Sequence, residues 1–257
     1  MTKLALITGA SSGIGKSTAI LFAQQGWNVI AIARRQEVLQ SLADEYSSIV
    51  PIACDGGDGA AVIEVCKNIT QQHGTPNVII HCAGAGEWKE IEDTSPEEFD
   101  QMLDAPLRSA FHFNHMFVGA MIQRGSGRLL HINSPAGIMP WGGATGYVTT
   151  RVALRGLSQA LHMDLLGTGV TSCNVTFGEV SSEYFDANAD SHHKIPGIAS
   201  LIPIMTPEDC SRVLWKATHS SKPEISKPLM LQLFVWAQKI APWLVRWLIV
   251  WTQRKRA

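Results

Sequence analysis

Apolar residues gather in six short, nearly unbroken runs: Lys3–Thr8, Asn28–Ala33, Ile49–Cys54, Val78–Cys82, Gly127–Asn133 and Val170–Phe177. Runs this short, without polar alternation, predict strands covered on both faces. Between them lie longer stretches of helix formers. Lys16–Gln25 carries Ala19, Ile20 and Ala23 toward one side and meets a stop at Gly26; Gln36–Tyr46, Ala60–His73, Pro96–Arg124 and Thr149–Leu166 follow. Strands alternating with helices at this spacing predict an α/β domain over residues 1–222, a doubly wound parallel sheet with helices on both sides. Residues 183–206 are polar, hold two prolines and predict an irregular, mobile insert. Residues 223–257 differ in character and read as an amphipathic tail.

The turn after the first strand reads Thr8-Gly9-Ala10-Ser11-Ser12-Gly13-Ile14-Gly15. Glycines let the backbone approach a pyrophosphate, and the helix that follows offers free N–H groups and a positive dipole end. At the end of the second strand, where a carboxylate would bind the ribose diol of NAD, the chain has Ala33-Arg34-Arg35. A guanidinium there suits a 2′-phosphate instead. With its G-x-x-x-G-x-G spacing, this segment resembles the short-chain dehydrogenase/reductase family, whose fold is Rossmann-type. The likeness runs over roughly residues 3–215.

That resemblance implies NADP(H) held by Gly9, Ser11, Ser12, Gly13, Ile14 and Gly15, with Arg34 and Arg35 on the 2′-phosphate and Asp55 on the adenine. Ala83 and Gly84 keep half of the family's N-N-A-G, His81 and Cys82 replacing its asparagines. Gly178, Val180 and Ser182 fall where the family meets the nicotinamide carboxamide. Hydride exchange with a carbonyl also needs a proton at the oxygen, which a phenol beside a cation supplies. The resemblance assigns this to Tyr147, with Ser134 holding the oxygen and Arg151, one helical turn on, as the cation that also binds ribose. Two residues depart from the family: Arg151 stands for a lysine and Pro106 for an asparagine, so its water-mediated proton path is interrupted twice. The family also implies a homodimer or homotetramer.

Composition sharpens the picture at the tail. The 257 residues are 46% hydrophobic and 17% charged with net charge −1, which excludes disorder and a general nucleic-acid binder. After Glu224 there is no acid and there are six bases, so residues 1–224 hold 15 bases against 22 acids, a net of −7. Residues 229–251 combine four tryptophans with Leu233, Ala237, Ile240, Leu244, Leu248 and Trp251 at helical spacing, interrupted by Pro242 and by Lys239 and Arg246. Peripheral attachment to a membrane through residues 229–256, a subunit interface, a membrane span and burial in the core are all open at this stage, the first favoured by the indoles and bases. A membrane-seated enzyme draws on lipophilic carbonyls or alcohols.

Five cysteines with no C-x-x-C pair predict reduced thiols in a cytoplasmic setting. The short apolar run at the N-terminus does not read as a signal peptide. His112 and His115 share a helix face without an acidic or thiol partner, so no metal site is expected. His192 and His193 read as surface. Trp88 and Trp141 either wall an apolar cleft or pack in the core. The expected activity is NADP(H)-dependent interconversion of an alcohol and a ketone or aldehyde. The rival is a cofactor-binding sensor or scaffold with little turnover.

Overall fold

The computed structural model describes residues 2–84, 86–184 and 188–253. Seven parallel strands form one sheet in the order β3-β2-β1-β4-β5-β6-β7: β1 Leu4–Thr8, β2 Asn28–Ala33, β3 Ile49–Ala53, β4 Val78–His81, β5 Gly127–Asn133, β6 Val170–Phe177 and β7 Glu224–Lys227. Successive side chains of a strand point to opposite faces, so each strand feeds two cores. Ala5 and Ile7 of β1, with Val29 and Ala31 of β2, pack under helices α1 (Gly13–Gln24), α2 (Gln36–Glu45) and α7 (Pro207–Thr218). Leu4, Leu6, Ile30 and Ile32 point the other way, toward α3 (Gly59–His73) and α5 (Ser109–Arg124). The doubly wound sheet expected from the alternation is therefore present.

Three features depart from the pattern. The predicted helix Pro96–Arg124 is α4 (Pro96–Leu103), a π-helical turn over Asp104–Arg108, then α5. Pro106 lies buried inside that turn, where the wider winding accommodates a ring that cannot donate an i→i−4 bond. Helix α6 spans Thr145–Asp164, four residues earlier than predicted, so Tyr147 sits in its first turn. The sequence pattern does not predict β7. Its four residues have one buried side chain, Ser226, and the strand exists because its backbone pairs with Asn174–Phe177 at the sheet edge.

Beyond β7 the chain folds back on the body. Helices α8 (Leu229–Ile240) and α9 (Pro242–Thr252), with Pro242 in the first turn of α9, bury Leu231, Val235, Val245 and Ile249 against Met139. Among the described residues no helix is long and apolar enough to cross a membrane.

Candidate functional site

Strand order reverses between β1 and β4, and a cleft of about 1110 Å³ opens at the carboxyl ends of the strands there. In an open α/β sheet that crevice is where ligands bind.

At one end the glycine turn is shaped by close backbone approach. Gly9 has φ +67°, and a Cβ on it would lie 2.7 Å from the nitrogen of Ala83, which itself donates to Thr8 Oγ1 at 3.3 Å. Gly13 (φ +47°) faces Ser182 across the cleft, so a Cβ there would touch that side chain at 3.4 Å. The backbone is thus held open for a pyrophosphate at the start of α1. Arg35 reaches back over this turn, its Nη2 donating to Ser11 Oγ at 3.1 Å and to the Ser11 carbonyl at 3.2 Å. Arg34 and Asp55 line the same end, and Asp55 Oδ1 accepts the Gly57 N–H at 2.9 Å.

The other end gathers Ser134, Tyr147 and Arg151 on one wall. Ser134 caps the 3₁₀ turn Pro135–Gly137, its Oγ accepting from the Ala136 N–H at 3.3 Å. Tyr147 is buried, its ring 5.0 Å from Trp88 and 6.4 Å from Tyr184. The Arg151 guanidinium lies over the Tyr147 ring, 4.9 Å from its centroid, and Nη1 donates to the Ile132 carbonyl at 3.2 Å. A side chain at Gly84 would come within 2.8 Å of Arg151 Nη2, so that glycine makes room for the larger cation. The i+4 spacing therefore does set a cation beside the phenol, against the ring face.

Asn133 is a positioning residue that sequence analysis missed. Its Oδ1 accepts the Ser134 N–H at 2.8 Å, while Nδ2 donates to the Arg151 carbonyl at 3.0 Å and to Asn174 Oδ1 at 2.8 Å. One buried amide thus ties the serine strand end to the helix of the tyrosine. Tyr184 was missed as well. Its hydroxyl accepts from Trp88 Nε1 at 3.0 Å and donates to the Gly86 carbonyl at 2.9 Å; burial pushes its phenol pKa up. Lys194 adds a second clamp, bonding the Trp88 carbonyl at 2.8 Å and Glu90 at 2.7 Å. The irregular insert is in this way tied across the cleft. Residues 185–187 of it lie outside the described residues.

Trp88 and Trp141, left between cleft and core by the sequence, both line the cleft, their rings 5.4 Å apart. Phe234, Val245, Leu248 and Ile249 of α8 and α9 complete an apolar wall. Of these four only Leu248 belongs to the stripe read from the sequence; Leu233, Ile240, Leu244 and Trp251 of that stripe are exposed, because the helices meet the body through Leu231, Val235, Val245 and Ile249 instead. Gly178 and Val180 stand at the junction; Val180 bridges Met205. Two buried donors of lining residues, Arg151 Nε and Trp141 Nε1, have no hydrogen-bond partner among the described residues. Glycine cradle and basic rim together suit a phosphorylated dinucleotide. Elsewhere, His112 Nδ1 lies 2.9 Å from the Gly56 carbonyl, and among the described residues no group of three or more His, Cys, Asp or Glu could hold a metal ion.

Residues 3–192 match the short chain dehydrogenase family. The chain belongs to that family. A relative in sequence is the NADP-dependent 3-hydroxy acid dehydrogenase YdfG of Escherichia coli (strain K12), 29% identical over 222 residues, covering 82% of this chain and 87% of the relative. An uncharacterized oxidoreductase of Staphylococcus aureus (strain USA300) is 30% identical over 182 residues, covering 70% and 79%. Among solved structures, the closed form of a serine dehydrogenase complexed with NADP+ superposes with TM-score 0.79 at 27% identity, covering 88% of this chain and 95% of that one. A short-chain dehydrogenase from Streptomyces avermitilis reaches TM-score 0.83 over 96% of this chain at 22% identity, a likeness of fold.

Proposed function

We propose that the protein is an NADP(H)-dependent oxidoreductase that interconverts an alcohol and a ketone or aldehyde, with an apolar, uncharged substrate. The observation that carries this is the convergence of Ser134, Tyr147 and Arg151 on the cleft that also holds the glycine turn and Arg34. The NADP-dependent relative and the NADP+-bound structural neighbour support the choice of cofactor. Bound NADP(H) supplies or accepts the hydride. Gly9, Gly13 and Gly15 admit its pyrophosphate, Arg34 and Arg35 meet its 2′-phosphate, and Arg151 lines the cleft where its ribose would lie. Ser134 Oγ holds the reacting oxygen. Tyr147 Oη gives that oxygen a proton in reduction and takes it back in oxidation. Trp88 and Tyr184 fix the phenol ring and shut out water.

Substrate class follows from the walls. The substrate end is bounded by Trp88, Trp141, Tyr184, Phe234, Val245 and Leu248, and the lysines beside Trp88 are already paired, Lys194 with Glu90 and Lys89 with Glu87 and Glu98. With the Arg151 guanidinium engaged over the Tyr147 ring and on the Ile132 carbonyl, a carboxylate buried against these apolar walls is costly, so an uncharged carbonyl compound is the better match than a hydroxy acid. The second reading, a cofactor-binding protein with little turnover, draws on Pro106 and Arg151.

Tyr147→Phe separates the two. Loss of an acid–base group lowers kcat by roughly 10²–10⁴-fold and leaves NADPH affinity within about threefold. The measurement is NADPH oxidation at saturating cofactor against a panel of apolar aldehydes and ketones, with affinity from NADPH fluorescence. Wild-type protein that binds NADPH but turns over none of the panel would sink the enzymatic reading in favour of the second.

A further inference from the structure

Helices α8 and α9 are apolar on both sides. Their inner side packs on the body and lines the cleft through Phe234 and Leu248. Their outer side presents Trp236, Trp243, Trp247 and Trp251, each between 56% and 73% exposed, with the last two rings stacked 5.7 Å apart. Contiguous exposed aromatic surface of this kind marks a partner.

We propose that this outer face docks on an anionic lipid bilayer and holds the substrate end of the cleft at the lipid surface. Charge selects the partner. Arg246 and Lys239, the latter exposed but within 3.7 Å of Glu224, lie in the two helices, Arg254, Lys255 and Arg256 follow in sequence, and no acid occurs after Glu224. Anionic headgroups attract this side, while the net −7 of residues 1–224 turns the rest of the molecule away, so one orientation is favoured. Indoles favour headgroup depth, where their apolar body and N–H are both accommodated. A second copy is a poorer match: a two-fold contact sets the same surface against itself, base against base. Spanning is excluded by length, since the 12 residues of α8 reach about 18 Å and the hydrocarbon layer is about 30 Å thick.

One consequence rests on the functional reading above, whereas the docking itself does not. Leu248 lines the cleft while its neighbour Trp247 faces outward, so a single helix separates the bilayer from the site. An apolar carbonyl compound dissolved in the leaflet reaches Tyr147 with little passage through water.

Flotation of the full-length protein with phosphatidylglycerol–phosphatidylcholine vesicles, and with phosphatidylcholine alone, tests the docking. The protein floats with the anionic vesicles and is released by salt. Replacing Trp243, Trp247 and Trp251 together by serine lowers the partition coefficient at least tenfold. Lys239→Gln with Arg246→Gln lowers it by roughly tenfold or more, each base being worth about fivefold at such a surface. NADPH binding stays unchanged in both variants, which reports that they fold. If a variant fails to fold, quenching of the wild-type tryptophans by brominated lipid replaces it, and absence of quenching overturns the proposal. Absence of flotation does so too, as does a wild-type dimer that the tryptophan variant converts to monomer without any vesicle affinity. Flotation without turnover of any carbonyl leaves the docking standing and removes the functional reading; turnover without flotation does the reverse.

Discussion

Arg35 is held on the phosphate turn by Ser11, and Arg34 lies beside it on the same rim of the cleft. Two guanidiniums where a ribose-binding carboxylate would otherwise stand make a specific demand on the cofactor. The variant Arg34→Ala with Arg35→Ala raises the Kd for NADPH by roughly 10–100-fold, the worth of charge-assisted bonds to a phosphate. Its Kd for NADH stays within about threefold, because NADH has no 2′-phosphate to lose. Fluorescence titration with both nucleotides measures this, and equal losses for the two would remove the 2′-phosphate assignment. These side chains were legible in the sequence because the glycine spacing fixes their distance along the chain from the turn. Asn133 and Tyr184 were not. An asparagine at a strand end and a tyrosine in an irregular insert carry no pattern, and their roles come from partners 18 and 98 residues away.

At the scale of elements, the strands and most helices follow from apolar runs and glycine stops, because both are local properties. Helix α6 escapes at its start. Ala144 provides no side-chain cap, and glycine and β-branched residues fill the first turns, so propensity is weak where tertiary contact with the Pro135–Gly137 turn sets the boundary. The helices α8 and α9 give a sharper test. Leu231 is fully buried against the body and Leu233, two residues on, is 54% exposed. Leu231→Ala costs about 2–5 kcal/mol and lowers Tm by roughly 4–20 °C. Leu233→Ala changes stability by no more than about 0.5 kcal/mol. Calorimetry on the two variants checks the orientation of the helix; similar losses would mean it packs by another face.

Across the whole molecule, a buried polar chain joins sheet to helices. His81 Nε2 donates to Asn114 Oδ1 at 2.9 Å, Asn114 Nδ2 donates to His131 Nε2 at 2.9 Å, and His131 Nδ1 lies 3.5 Å from Ser172 Oγ. This pattern keeps both imidazoles neutral. Burial lowers the pKa of His81 to about 4 and, with the adjacent His81 and Arg128, that of His131 well below the ordinary value. The unfolded chain takes up protons near pH 6.5 and the folded one does not, so stability is full above that pH and falls as pH drops toward 4. For His81 alone the loss is on the order of 3 kcal/mol. His81→Asn flattens the slope of unfolding free energy between pH 6.5 and 4.5 by about one proton, measured by urea titration at several pH values. An unchanged slope would mean that His81 takes up its proton while still folded. The sequence by itself determined the layered α/β plan, the phosphate turn and the spacing of Ser134, Tyr147 and Arg151, since periodicity and distance along the chain are written locally. Only the tertiary structure decided where the tail goes, which residues clamp the cleft and which histidines are buried, because those depend on surfaces that meet only when the sheet has closed over both cores.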